Sequence, residues 1–331
     1  MQKRKLGASG PEVGEIGLGA MGMSDFYGPA DRAESIATIH AALDSGATLI
    51  DTGDFYGSGH NEMLIAEALR GRKREDYVLS VKFGALRDPA AGFIGYDARP
   101  VAVKNALAYS LKRLGVEYID IYRPARLDPA APIEETVGAI GDMVKKGYVR
   151  AIGLSEVGAA TIRRAAAVHP ICDLQIEYSL IVRMIEAEIL PACRELGIGV
   201  TAYGVLARGL ISGHWSKERG KGDFRAHSSR FAGANLEHNL ALVEALRKVA
   251  AARGASVAAT AVAWVLAQGR DIVPLVGARK RTQWAESSAG ADLSLSADDL
   301  AAIEAAVPKD AAKGERYPVQ AMATLDSERR G

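Results

Sequence analysis

Three side chains in the first quarter of the chain have types and spacing that could transfer a proton: Asp51, Tyr56 and Lys82. Lys82 lies near the end of the apolar run 77–83, a pattern typical of a strand buried in a parallel sheet. A buried ammonium needs a partner, because an unpaired charge in an apolar environment is costly. Asp51 ends the preceding apolar run and can supply the pairing carboxylate.

The tyrosine is the group that such a pair would serve. A phenol ordinarily has a pKa of about 10. A neighbouring ammonium favours the phenolate, so Lys82 is predicted to lower the pKa of Tyr56 while Asp51 holds the lysine in place. That tyrosine could give or take a proton near neutral pH. Each residue alone also has an ordinary explanation: a strand-end lysine that reaches water, an aspartate that caps a turn, and a surface tyrosine.

A glycine-rich run at 17–22 fits the dinucleotide fingerprint G-x-G-x-x-G but lacks its structural context. The fingerprint works where the third glycine opens a helix that binds pyrophosphate at its N-terminus. Here residues 25–29 (DFYGP) predict a loop, and Asp44 falls within a predicted helix instead of ending a second strand. We therefore predict no Rossmann domain and interpret the glycines as backbone that passes close to a neighbour such as a ligand.

The elements that must position these residues form an alternating series of strands and amphipathic helices. A small hairpin is predicted at 5–13. The predicted strands are 15–19, 48–51, 77–83, 118–122, 149–154, 174–178, 199–206 and 272–276. The predicted helices are 31–45, 61–70, 100–114, 133–146, 160–168, 186–196, 239–253, 257–268, 282–289 and 297–306. Such alternation predicts parallel strands with crossover helices, and the repeat count favours a closed (β/α)8 TIM barrel over an open doubly wound sheet.

The composition limits the partners, location and number of domains that can be expected. The chain has 331 residues with 41 basic and 40 acidic side chains, so neither nucleic acid nor an anionic membrane surface is an expected partner. Its start lacks the apolar stretch of a signal peptide, and we expect a cytoplasmic protein. Cys172 and Cys193 form no CxxC pair, so no metal site or disulfide framework is predicted. No composition shift or linker divides the chain, which predicts one domain over residues 1–331.

Two long segments interrupt the alternation, at 84–98 and 207–237. Both follow predicted strands, so in a barrel both lie on the face where active sites are built. Long loops of this kind are more often functional than incidental.

At this point the motifs resemble one known family. The run 49–57 (LIDTGDFYG), followed by His60, Asn61 and Glu62, is similar to the aldo-keto reductase superfamily. The resemblance continues through 118–122 (YIDIY), 132–136 (PIEET), 153–155 (GLS), 175–178 (QIEY) and 275–279 (LVGAR). It covers essentially the whole chain and is strongest to the bacterial, pyridoxal reductase-like and potassium-channel β-subunit branch.

The resemblance implies a barrel whose floor is closed by an N-terminal β-hairpin and whose mouth binds NADP(H) in an extended form. It implies hydride transfer to a small aldehyde or ketone, with Asp51, Tyr56 and Lys82 at the catalytic positions. The positions that it assigns to the cofactor are Ala20, Met21, Asp51, Ser155, Gln175, Tyr203, Leu206, Ala207, Gly209, Gly277, Arg279, Gln283 and Glu286. Within that set, Ser155 and Gln175 would hold the carboxamide, Tyr203 would stack on the nicotinamide, and Arg279 would meet the 2′-phosphate.

Two departures from the family pattern stand out. The usual histidine after the fourth strand is replaced by Ala125 in the run 123–129 (RPARLDP), which removes a hydrogen-bond donor from the carbonyl corner. The usual Ser-Pro-Leu after the seventh strand is Gly204-Val205-Leu206 here. The first departure supports an alternative function, an NADPH-binding regulatory or sensor protein with little turnover. A barrel hydrolase or lyase would need a metal or phosphate site that the sequence does not show.

Overall fold

The structure, a computed structural model, describes residues 1–215 and 224–328. The strands in this part of the chain are β1 (Lys3–Lys5), β2 (Glu12–Gly14), β3 (Gly17–Gly19), β4 (Leu49–Gly53), β5 (Val78–Phe83), β6 (Ala85–Arg87), β7 (Phe93–Tyr96), β8 (Ile119–Pro124), β9 (Val149–Ser155), β10 (Ile171–Glu177), β11 (Gly199–Tyr203) and β12 (Ile272–Gly277). The helices are α1 (Arg32–Asp44), α2 (His60–Ala68), α3 (Pro100–Leu114), α4 (Ile133–Lys145), α5 (Ala159–Ala166), α6 (Ile189–Glu195), α7 (Gly233–Ala252), α8 (Val257–Ala267), α9 (Arg281–Ser288), α10 (Ala297–Ala306) and α11 (Val319–Met322).

Eight of the strands close into one parallel barrel. The order around it is β3, β4, β5, β8, β9, β10, β11 and β12, and β12 pairs back to β3 with Leu275 opposite Gly17. Strand residues on both faces are buried, which explains their near-continuous apolar runs. The predicted (β/α)8 TIM barrel is therefore confirmed, and the open doubly wound sheet is excluded.

The N-terminal hairpin closes the floor of the barrel, as predicted. Strands β1 and β2 pair antiparallel, and Leu6 and Val13 are buried in a small core with Leu49, Ile121, Cys172 and Val273. Gly7 makes the close approach possible. Its φ is +61°, and a Cβ there would lie 2.2 Å from the Cys172 carbonyl oxygen.

Local signals explain most of the helix boundaries. Helix α1 begins after Asp31, whose side chain accepts a hydrogen bond from the backbone N–H of Glu34. Helix α3 begins at Pro100 and ends before Gly115, at the predicted bounds. Four predicted boundaries differ by three residues or more. The strand predicted at 174–178 begins at Ile171, and the helix predicted at 186–196 begins at Ile189. The strand predicted at 199–206 ends at Tyr203, because Gly204 turns the chain with a φ of +69°. The helix predicted at 239–253 starts at Gly233.

The long loop 84–98 contains an element that the sequence did not predict. Strands β6 and β7 form an antiparallel hairpin after the third barrel strand. The exposed fractions of Phe93 and Ile94 are 51% and 62%, so apolar side chains stand open at this end of the barrel. The other long loop, 207–237, forms short 3-10 turns at Ala207–Ser212, Phe224–His227 and Ser229–Phe231 before α7. Its residues 216–223 lie outside the described part.

No single helix among the described residues is long and apolar enough to cross a membrane. Helices α7 and α8 pass that test only as a pair, and they meet at a bend of 85°.

Candidate active site

Asp51 and Lys82 form a buried pair at the carboxyl ends of neighbouring strands. Strand β4 pairs in parallel with β5, so that Asp51 lies opposite Ser80 and Gly53 lies opposite Lys82. The side chains of Asp51 and Lys82 are therefore neighbours on adjacent strands. The Lys82 Nζ donates to Asp51 Oδ1 and, over 3.0 Å, to Gln175 Oε1. Asp51 Oδ2 accepts from Ser80 Oγ at 2.8 Å and from Gln175 Nε2 at 2.6 Å. The predicted pairing of Lys82 with Asp51 is confirmed.

Tyr56 lies next to this pair on a tight turn after β4. The turn depends on left-handed backbone at Gly57 and Ser58, with φ of +55° and +52°. The Lys82 Nζ lies 5.1 Å from the centroid of the Tyr56 ring. The tyrosine is therefore within the electrostatic reach of the ammonium.

The predicted lowering of the tyrosine pKa is wrong in this structure. Burial, and then the negative charge of Asp51, raise the pKa of Tyr56 well above its usual value, while Arg126 acts in the opposite direction. The Lys82 ammonium is paired with Asp51, and burial lowers the pKa of Lys82 itself. Tyr56 is thus held as a neutral phenol, the form that can donate a proton.

An aromatic wall covers the outer side of Tyr56. The ring centroid of Phe55 lies 4.7 Å from that of Tyr56, and that of Phe26 lies 6.1 Å away. Phe26 stacks on Phe93 of the β6–β7 hairpin and meets the ring of Phe224 edge-on. Four loops that are distant in sequence therefore supply one apolar surface, which no local pattern in the sequence indicated.

Ala125 occupies the corner after β8, and Arg126 is the charged group beside it. The Ala125 backbone N–H donates to the Phe83 carbonyl oxygen at 2.8 Å, which holds the corner against β5. Arg126 Nη1 donates to the Ala125 carbonyl oxygen at 2.7 Å, and its Nη2 lies 3.4 Å from the Tyr317 hydroxyl.

The residues expected at the nicotinamide lie around the same mouth. Ser155 ends β9, and its Oγ is buried without a hydrogen-bond partner among the described residues. An orphaned hydroxyl at this place suits a carboxamide ligand. The Gln175 amide already bridges Asp51 and Lys82, and the Tyr203 hydroxyl donates to Glu156 Oε1 at 2.6 Å.

The loop expected at the pyrophosphate has an unusual backbone. After Leu206, it turns through Ala207, Arg208 and Gly209, whose φ values are +46°, +57° and +92°. Within the turn, the Ala207 N–H donates to the Gly204 carbonyl oxygen at 2.7 Å, and the Gly209 N–H donates to the Leu206 carbonyl oxygen at 2.8 Å. The Arg208 guanidinium lies 3.2 Å from Glu177 Oε2.

The positions expected at the adenosine end lie on the rim beside β12 and β3. Arg279 Nη1 donates to the carbonyl oxygen of Tyr27 at 2.9 Å, and the Arg279 backbone N–H donates to Gln283 Oε1 at 3.2 Å. Glu286 contacts His214 Nε2 at 2.9 Å. Gly277, also expected at the adenosine end, lies opposite Gly19 where β12 pairs with β3. Ala20 and Met21, expected as other cofactor contacts, directly follow β3. Met21–Met23 is a 3-10 turn and opens no helix, so the glycine-rich run is not a Rossmann turn.

The C-terminal segment adds residues to the mouth that the motifs did not identify. Arg316 is buried and forms ion pairs with Glu156, Glu177 and Glu328. The Tyr317 hydroxyl lies 2.7 Å from the Tyr203 hydroxyl. The sequence offered one signal for these contacts, which was a charged residue at the end of a buried strand, such as Glu177 in the run QIEY.

Within residues 1–215 and 224–328, no group of three or more His, Cys, Asp or Glu side chains could hold a metal ion.

Comparison with known proteins places the chain in a family. The profile of the Aldo/keto reductase family matches residues 15–308. A protein named probable aldo-keto reductase 1 from Glycine max is 41% identical over 322 residues, which cover 96% of this chain and 92% of that protein. The solved structure of the glycerol dehydrogenase AKR11B4 from Gluconobacter oxydans superposes with a TM-score of 0.84 at 28% identity and covers 99% of this chain and 97% of its own. The thermostable aldo-keto reductase Tm1743 in complex with the inhibitor epalrestat gives a TM-score of 0.75 at 26% identity, with 92% and 100% covered. The resemblance inferred from the motifs is confirmed, and the chain belongs to the aldo/keto reductase family of carbonyl oxidoreductases.

Proposed function

We propose that this protein reduces an aldehyde or ketone to an alcohol with NADPH, and that Tyr56 is the general acid. The observation that carries the proposal is the buried Asp51–Lys82 pair beside Tyr56 at the carboxyl ends of the barrel strands. Active sites of (β/α)8 barrels lie on this face. When bound, the nicotinamide supplies a hydride to the carbonyl carbon.

The proton is the part of the reaction that the chain itself supplies. As the carbonyl carbon gains the hydride, its oxygen becomes basic and takes the proton of the Tyr56 hydroxyl. The phenolate left on Tyr56 lies beside the Lys82 ammonium, which stabilises it, and water then restores the proton. Asp51 keeps the lysine in place through its charge and its hydrogen bonds with Ser80 and Gln175.

Features of the mouth support NADP(H) as the cofactor. The unpartnered Ser155 hydroxyl suits the carboxamide, and the left-handed turn at Ala207–Gly209 lies at the positions that the family pattern gives to the pyrophosphate. Arg279 carries a planar guanidinium at the rim, suited to a phosphate on the ribose. We assign the remaining contacts to the positions that the family pattern gives, with Tyr203 against the nicotinamide ring.

The second candidate is an NADPH-binding regulatory protein with little turnover. Ala125 is the observation that favours it, because a methyl group donates no hydrogen bond to a carbonyl oxygen. NADPH oxidation with a panel of aldehydes at high enzyme concentration separates the two functions. Binding of NADPH without oxidation of it would select the regulatory protein.

The decisive variant is Tyr56→Phe, which removes the proton donor and leaves the ring. We expect carbonyl reduction to fall at least about a thousandfold, while the dissociation constant for NADPH changes little. Tyr109→Phe is the matched control, since that tyrosine is exposed on α3 away from the mouth. Steady-state kinetics and fluorescence titration give both numbers. Full turnover by Tyr56→Phe would show that the proton comes from another group.

The same proposal includes the setting of the protein. We propose that residues 1–331 form a single barrel domain that works in the cytoplasm on a small-molecule substrate. Neither nucleic acid nor a membrane is a proposed partner.

A further inference from the structure

Arg126 differs from the other arginines at the mouth of the barrel. Among the described residues, its guanidinium forms no ion pair, and its two hydrogen bonds go to the Ala125 carbonyl oxygen and the Tyr317 hydroxyl. The neighbouring arginines all have carboxylate partners: Arg87 with Asp25, Arg123 with Asp173, Arg208 with Glu177, and Arg316 with Glu156 and Glu177.

The surroundings of Arg126 keep its guanidinium charged. The side chain is partly buried, but Tyr203, Tyr317 and Glu156 favour the charged form more than burial disfavours it, so the pKa of Arg126 is raised. Glu156 also acts on it, but that carboxylate is already saturated. Its Oε1 accepts from Tyr203 and Arg316, and its Oε2 accepts from Arg316 and Ser327. An incoming anion would therefore meet a charged guanidinium that has no ion-pair partner among the described residues.

Arg126 also lies close to the proton donor. It directly follows Ala125 in the corner after β8, and its charge acts on both Tyr56 and Lys82. The aromatic wall of Phe26, Phe55 and Phe93 also adjoins Tyr56. Both apolar rings and a cationic side chain are therefore available near this proton donor.

We propose that Arg126 binds an anionic group of the substrate, so that the preferred carbonyl compound carries a carboxylate and an apolar or aromatic body. The guanidinium suits a carboxylate because its N–H donors match the two oxygens in one plane. The bound carboxylate would supply the counterion that the protein does not. This inference rests on the proposed reductase function and specifies the substrate class of the same site.

The test compares two aldehydes that differ in one charge. The first is 4-formylbenzoate, and the second is its methyl ester, which keeps the ring, the aldehyde and a similar electronic effect. Wild-type protein should show a kcat/KM for the carboxylate at least about tenfold above that for the ester, as expected for one charge-assisted contact. Most of the difference should appear in KM, since this contact exists before the chemical step.

Substitutions at Arg126 then assign the preference to the side chain. Arg126→Gln should lose about tenfold or more in kcat/KM for the carboxylate and little for the ester. Arg126→Lys should keep part of the preference. Arg99→Gln is the matched control, because it removes the same charge from an exposed side chain that pairs with Asp97 just before α3. Thermal unfolding and NADPH titration of each variant show that fold and cofactor binding are intact.

The outcomes separate this inference from the proposed function. If wild-type protein reduces neither aldehyde, the reductase function itself fails. If it reduces both but Arg126→Gln changes them equally, Arg126 acts on the reaction and not on an anion, and the inference is overturned. Loss of NADPH binding in Arg126→Gln would likewise overturn it, because the guanidinium would then serve the cofactor. Selective loss for the carboxylate supports it, and terephthalate should then inhibit wild-type protein more strongly than Arg126→Gln.

Discussion

At the scale of a single residue, the buried carboxyl group of Asp54 makes the free energy of unfolding depend on pH. It lies between β4 and Tyr56, and its Oδ1 is buried without a partner among the described residues. Burial, followed by repulsion from Glu62, raises the pKa of Asp54 to about 7, although Arg113 partly opposes this. The folded protein therefore holds a proton that the unfolded chain releases at about pH 4.

This difference predicts a specific dependence of stability on pH. Because the folded state binds the proton more tightly, the free energy of unfolding should fall as pH rises from about 4 to about 7, and then stay level. Asp54→Asn should remove this loss and stabilise the protein at pH 8 by up to roughly 4 kcal/mol, with no gain at pH 4. Denaturant unfolding of both proteins at the two pH values measures it. An equal effect at both would mean that Asp54 is not protonated in the folded state.

Single residues were also where sequence reasoning worked best and where it failed. The pairing of Lys82 with Asp51 followed from the cost of a buried ammonium, and the structure has it. The direction of the shift in the Tyr56 pKa could not be predicted from the sequence. It depends on how completely the phenol is buried and on the charge of Asp51. Those are properties of the packed structure and not of the spacing.

At the scale of elements, Arg279 ties two loops of the rim together. It follows β12, and its Nη1 donates to carbonyl oxygens of the loop after β3, at Tyr27, Gly28 and Pro29. A guanidinium fixed in this way is preorganised for a phosphate, because little side-chain freedom is left to lose.

We expect Arg279→Ala to weaken NADPH binding about tenfold to a hundredfold and NADH binding much less. A loss of affinity that NADPH and NADH share would come from the loop that Arg279 no longer holds. A loss of affinity that only NADPH shows would come from the missing contact with its 2′-phosphate. Lys280→Ala is the control for removal of a positive charge next along the chain. Fluorescence titration with both dinucleotides measures the four affinities. Equal affinity of the wild type for both would refute the assignment of Arg279.

Regular elements could be predicted wherever periodicity was strong, as for α3 and α10, whose bounds match the prediction. The β6–β7 hairpin could not, because its strands are only three and four residues long and Gly95 lies inside the second. The aromatic wall could not be predicted from the sequence either. Its rings come from loops that only barrel closure brings together, so no window of sequence contains the pattern.

At the scale of the whole molecule, the C-terminal segment is joined to the barrel by buried charges. Burial acts against ionisation, but Arg316 holds the pKa of Glu156 well below its usual range. Glu156 itself has a φ of +53°, an uncommon backbone for a residue with a Cβ. The pair thus fixes the chain at the end of β9 as well as the segment that crosses the mouth.

Arg316→Met should lower the free energy of unfolding by about 3–5 kcal/mol, because it leaves two buried carboxylates short of a cation. Arg163→Met is the matched control, since the Arg163–Glu195 pair is exposed on the surface, and it should change stability little. Chemical denaturation compares them. Equal small losses would mean that the segment is not held by its buried charges.

The barrel could be predicted as a whole because its alternation is long and regular, whereas the course of residues 312–328 could not. That course depends on ion pairs to strand ends more than 130 residues earlier in the chain, and a single sequence gives no record of such partners.

The N-terminal hairpin and the segment around Tyr317 consequently differ as places for attachment. The hairpin β1–β2 sits under the barrel floor, on the side away from Tyr56, so a support or fusion partner linked ahead of Lys3 leaves the mouth clear. A linker inserted near Tyr317 would have to run across the mouth between Arg126 and Arg208. Immobilisation of this protein should therefore proceed through its amino-terminal side.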